Sequence, residues 1–187
     1  VPALVATYVV ALALSLGNTS TPAAAYADGA PPGFSGGFGE QACDACHFEA
    51  PINTKPGQLT LTGVPDRFMP GERYTLTLTL SRPAMVIGGF QMTARLENGG
   101  AQAGTLAAAP GEEKRVKVTA QTNVQYANQR LDGAALVEPG TAKWTLVWTA
   151  PTTAGSVVFH AAANAANKDD ATRGDYVYTA TASSASQ

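Results

Sequence analysis

Charge is scarce in this chain. Lys, Arg, Asp and Glu make up 14% of its 187 residues, the formal net charge is −2, and no long run of either sign occurs. No Lys or Arg precedes Lys55. A basic stripe for nucleic acid and a polybasic face for anionic lipid are both excluded. Cysteine is nearly absent too, with only Cys43 and Cys46 present. That rules out a multi-bridge disulfide framework and a four-cysteine zinc site. Histidine is limited to His47 and His160, and from Gln58 onward no convincing helical period is found.

The two cysteines fall in one stretch, Cys43-Asp44-Ala45-Cys46-His47, which is the C-x-x-C-H pattern of c-type haem attachment. The spacing lets one tight turn present both thiols to one edge of a porphyrin, and the following imidazole then lies beneath the iron. Random placement of two cysteines and a histidine would give this pattern on the order of one time in ten thousand. Two other readings stay open: a small Cys43–Cys46 disulfide loop outside the cytoplasm, and part of a zinc site. The expected cofactor is one covalent haem c on Cys43, Cys46 and His47.

A six-coordinate iron needs a distal ligand, for which His160, Met69 and Met85 are the candidates, in that order. Met92 shares a strand face with Phe90 and Leu96 and reads as core. Asn167-Lys168-Asp169-Asp170 to Asp175 offers oxygens for Ca²⁺ but lacks the alternation of a calcium loop, so a solvated turn is expected. Ser/His/Asp catalysis has little support, because no carboxylate is in view to orient His160. No catalytic residues and no enzyme activity are expected.

The N-terminus, Val1-Pro-Ala-Leu-Val-Ala-Thr-Tyr-Val-Val-Ala-Leu-Ala-Leu-Ser-Leu16, is apolar and uncharged. Sixteen helical residues reach roughly 24 Å, short of a hydrocarbon core of ~30 Å. Residues 1–20 read as a signal anchor or transmembrane helix, with Ala25-Tyr26-Ala27 as the cleavage site if the segment is instead removed. Residues 21–42, rich in Gly, Pro and Ala, read as a flexible linker. Residues 43–56 carry the haem motif, 57–182 a β-sandwich, and 183–187 a tail.

The sandwich follows from alternation. Tyr74, Leu76, Leu78 and Leu80 share one face against Thr75, Thr77 and Thr79. Phe90, Met92, Ala94 and Leu96 alternate with Gln91, Thr93 and Arg95, and Trp144, Leu146 and Trp148 alternate with Lys143, Thr145 and Thr149. Period two with Thr, Val and aromatics marks half-buried strands. Further strands are expected near 58–63, 103–108, 114–120, 155–163 and 175–181, parted by turns such as Pro70-Gly71 and Pro139-Gly140. Seven or eight short strands without a helix predict an all-β fold, an antiparallel immunoglobulin-like sandwich.

Several segments, in order, carry a resemblance. They are Gly29-Ala-Pro-Pro-Gly-Phe-Ser-Gly36, Cys43–His47, Phe68-Met-Pro-Gly-Glu-Arg-Tyr74 and Gly88-Gly-Phe-Gln91. Trp144-Thr-Leu-Val-Trp-Thr-Ala-Pro151, Val158-Phe-His-Ala-Ala-Ala-Asn-Ala-Ala-Asn167 and Gly174-Asp-Tyr-Val-Tyr178 follow. Over roughly residues 29–180 the pattern resembles the bacterial choice-of-anchor V proteins, whose sandwich is similar to the reeler domain. The resemblance implies an exported, membrane-associated β-sandwich with C-x-x-C-H near its start, and no defined activity. The family pattern has an aromatic or small residue where His160 stands, so it implies no ligand role there.

The expected function is that of a membrane-anchored periplasmic mono-haem electron-transfer subunit, held by its N-terminal helix and partnered by subunits of a larger membrane complex. The alternative is a non-redox accessory or scaffolding subunit with Cys43–Cys46 as a disulfide. A photosynthetic reaction centre or a respiratory enzyme would host either. A third class, an extracellular binding module for carbohydrate or another ligand, rests on fold analogy alone.

Overall fold

The computed structural model describes residues 26–169 and 171–187. The expected membrane helix at 1–20 lies outside them, and no helix among the described residues is long and apolar enough to cross a membrane.

Ten strands form two packed sheets. The first holds β1 (Gln58–Thr62), β3 (Arg73–Ser81), β8 (Thr141–Thr149) and β5 (Thr105–Ala108), in the order β1-β3-β8-β5. The second runs β2-β10-β9-β4-β7-β6, from β2 (Arg67–Phe68), β10 (Tyr176–Ser186), β9 (Ser156–Ala166), β4 (Ile87–Leu96), β7 (Val124–Gln129) and β6 (Val116–Gln121). Every pairing is antiparallel except β2 with β10, which is parallel. The expected all-β sandwich is therefore the fold. The short β2 and the polar β7 escaped the sequence pattern, because neither shows a clean apolar face.

The alternating residues meet where their period places them. Leu76 pairs with Leu146 and Leu78 with Trp144 in one sheet; Met92 pairs with Ala161 and Ala94 with Phe159 in the other. Trp144, Trp148 and Phe159 are fully buried, and Phe159 stands edge-on to Trp148 at 4.9 Å. Each indole finds an acceptor for its buried N–H, Trp144 on the Gly133 carbonyl (2.8 Å) and Trp148 on that of Ala103 (2.9 Å), so neither ring strands its donor in the core.

Residues 26–57 are not a loose tether over their described length. They cross the outer face of the six-stranded sheet as a strap, because that face offers polar side chains to its backbone. The Phe34 N–H donates to Gln91 Oε1 (2.6 Å), and Gln91 Nε2 donates to the Pro31 carbonyl (2.8 Å). Glu40 pairs with Arg95 and accepts from Ser35 Oγ (2.5 Å) and Tyr126 OH (2.5 Å). Gln91 and Thr93 are thereby fully buried, although their alternation alone marks them as a solvent-side set. Gly37 allows the close crossing: a Cβ there would lie 2.1 Å from the His160 ring.

Candidate functional site

The C-x-x-C-H segment ends the strap's run across the sheet. Cys43–Ala45 form a single 3₁₀ turn, closed by the Cys46 and His47 N–H groups donating to the Cys43 carbonyl at 3.2 and 3.0 Å. Ala42 seats the turn against Ala162 and Val177, with Cys43 packed beside them. Both cysteines are free thiols. Burial, reinforced by the neighbouring Asp44 charge, pushes the Cys43 thiol up to about 12. It is therefore neutral at physiological pH in this structure, and a neutral thiol is a poor nucleophile. Among the described residues no three His, Cys, Asp or Glu side chains converge as a metal site.

His47 is held by the far end of the chain. Its Nδ1 lies 2.7 Å from Oδ2 of Asp175, a carboxylate 2% exposed. The same carboxylate accepts from Asn164 Nδ2 and from the Asn167 backbone N–H, both at 3.2 Å. The carboxylate makes Nδ1 the donor, which leaves Nε2 for a second partner. Asn164 Oδ1 is buried and has no partner. This cluster borders a cleft of about 380 Å³ lined by Cys43, Cys46 and His47 together with the apolar side chains of Phe34 and Ile87.

The structure does not bring the proposed distal ligands here. His160 sits four positions before Asn164 on the same strand, roughly 13 Å away at the rise of an extended chain. Its Nδ1 is 3.1 Å from Thr181 Oγ1, and its ring is edge-on to Phe38 at 5.2 Å. Met69 follows β2, which pairs with the Ala185–Ser186 end of β10, opposite Asp175. Met85 is core, 6% exposed, because the chain before β4 turns inward rather than lying on the surface. Gly33-Phe34-Ser35-Gly36-Gly37 has the spacing of a nucleophile elbow. Its Ser35 is nevertheless fully buried on Glu40, with no histidine beside it and no strand-to-helix turn. The sequence reading met Asp175 only as the end of a candidate calcium segment, and it missed the contacts of Asp175 with His47 and Asn164 and the cleft they border. Asn164 and Asp175 fall in resemblance blocks, Val158–Asn167 and Gly174–Tyr178, that carried no role for them.

No protein-family model and no curated protein matches the chain. Solved structures do. The human F-spondin reeler domain superposes with a TM-score of 0.50 at 20% identity, over 73% of this chain and 93% of that one. A cohesin module from a Clostridium perfringens family 33 glycoside hydrolase gives 0.50 at 10% identity, over 72% and 98%. The fold is a reeler-like β-sandwich. At these identities the likeness concerns fold alone, and it carries the reeler part of the resemblance but not membership in the choice-of-anchor V family.

The expected electron-transfer role is corrected by these findings. The structures that share the fold are a reeler domain and a cohesin module rather than cytochromes. The site supports the same correction, since His160, Met69 and Met85 lie away from the cleft and cannot complete a six-coordinate centre with His47.

Proposed function

We propose that this chain is a non-enzymatic accessory module on the exported side of a bacterial membrane, docking on subunits of a larger membrane complex. One observation carries the reading. Of the seven large apolar side chains exposed among the described residues, six belong to one end of the sandwich: Tyr26, Phe48, Ile52, Val86, Leu131 and Val137. That end gathers residues 43–57 before β1, the loops β3–β4, β7–β8 and β9–β10, and the start of the strap. The strand registers bring Gln58, Ser81, Thr141, Ile87, Ala166 and Tyr176 to it. Only Met69 lies at the other end.

Scattered exposed apolar residues are ordinary, whereas a concentration at one pole marks a contact surface. The partner face it fits is apolar, and full burial would contribute about 1.5–3 kcal/mol per large side chain. The apolar run at residues 1–16 would hold the module beside that partner as a membrane anchor. A β-sandwich with loops gathered at one pole suits docking, because a rigid scaffold positions its loops.

The test is sedimentation of gently solubilised membranes. The chain is expected to travel with a particle much larger than itself, and Phe48→Asp with Leu131→Asp should return it to its own size with an unchanged β-sheet spectrum. Wild-type chain sedimenting alone would overturn the reading.

A further inference from the structure

We propose that the cleft beside Cys43, Cys46 and His47 is a binding site for a small, flat, mainly apolar molecule carrying one N–H or O–H donor. This goes beyond docking: the cleft shares Tyr26 and Leu131 with the docking end, but its occupancy is read by small-molecule binding to the isolated chain.

The volume, about 380 Å³, is that of a small-ligand pocket. Gly89, the cross-strand partner of Asn164, borders the cleft without a side chain of its own. A Cβ there would meet the Gln129 amide at 3.1 Å, a side chain held by the Phe90 N–H and by the Tyr26 carbonyl. Backbone geometry does not demand glycine here, for this position lies in a regular strand. The walls include the aromatic side chain of Phe34 and the aliphatic one of Ile87.

One end of the cleft is polar, and it has an acceptor to spare. With Nδ1 donating to Asp175, His47 keeps Nε2 for a second partner. Asn164 gives its amide hydrogen to Asp175, while its Oδ1 stays buried without a partner. A buried acceptor left unmet is destabilising, a cost that a bound donor removes. The walls select an apolar body and the polar end selects a donor.

Indole and 1-methylindole make a matched pair of probes, identical in shape but for the donor. The full chain should bind one indole by calorimetry, and 1-methylindole about tenfold more weakly, the value of one hydrogen bond. Ala166→Leu, on the cleft wall, should abolish binding while the far-UV spectrum stays that of the sandwich. Ala135→Leu, also lining the cleft, gives the same check should the first variant misfold. Three results would overturn the proposal: no saturable binding, equal affinity for both probes, or unchanged binding in a folded cleft-filling variant. Covalent haem on Cys43 and Cys46, read as added mass on the intact chain, would overturn it too, since a porphyrin would take the same space.

Discussion

His47 and Asp175, separated by 128 positions in the chain, form a 2.7 Å hydrogen bond that ties the N-terminal strap to the β9–β10 loop. The loop answers with a second tie, as the Gly174 N–H donates to Glu49 Oε2 at 3.2 Å. The turn bearing both cysteines is thus pinned to the sandwich rather than carried on a free arm.

Asp175→Asn should weaken that attachment. The carboxylate accepts three hydrogen bonds, and hydrogen bonds to a charged group contribute about 1.5–3 kcal/mol. The expected loss in urea unfolding lies in that range, with faster amide exchange at residues 43–53. Unchanged exchange there would show that His47 does not anchor the turn.

Cys43 should resist alkylation. With its thiol raised from 9.0 to about 12, it holds about a thousandfold less thiolate at pH 8 than an unperturbed cysteine. Iodoacetamide followed by peptide mass analysis should label Cys43 very slowly in the folded chain and at an ordinary rate in denaturant. Because the folded thiol binds its proton more tightly than the unfolded one, the linked stability is fully present below about pH 9 and declines as pH rises towards 12. Cys43→Ala should remove that alkaline loss.

His160 predicts a change on the acid side. Burial, and secondarily the Arg95 charge, lowers its proton affinity below the usual histidine value of 6.5. A depressed histidine contributes stability above its unfolded pKa and loses it as pH falls through the folded one. The strap over Phe38 and Gly37 should therefore loosen below about pH 6.5, and His160→Gln should flatten the dependence. Proton resonances of the imidazole, followed against pH, measure it directly.

The Glu40–Arg95 pair should matter most when halved. Both side chains are largely buried, at 13% and 10% exposure, and removing one partner of such a pair costs about 3–5 kcal/mol, because the other charge is left unpaired. Arg95→Met alone is expected to fall in that range, and Glu40→Gln combined with Arg95→Met should recover part of the loss. An additive double variant would mean that the pair is not coupled.

The core aromatics carry the sandwich itself. Trp148→Ala should cost about 3–5 kcal/mol, for it removes a fully buried ring packed on Phe68, Tyr74 and Phe159. Chemical denaturation measures this, and a loss near zero would place Trp148 outside the folding core.

The amino-acid sequence by itself determined the two sheets and their shared interior. Period-two alternation at Tyr74–Leu80, Phe90–Leu96 and Trp144–Trp148 is a local signal, readable within a few residues, and it places side chains on a face wherever the strand goes. It likewise determined the turn that sets Cys43, Cys46 and His47 together, since their spacing is shorter than one helical turn and a half. Tertiary structure alone decided what surrounds them. The reach of Asp175 to His47, the unmet oxygen of Asn164 and the strap's burial of Gln91 and Arg95 join residues tens to more than a hundred positions apart. Single polar contacts over such separations leave no periodic trace in a chain. The same physics separated His160 from His47: both lie over one sheet face, yet strand register, which no local pattern discloses, sets them at different points along β9.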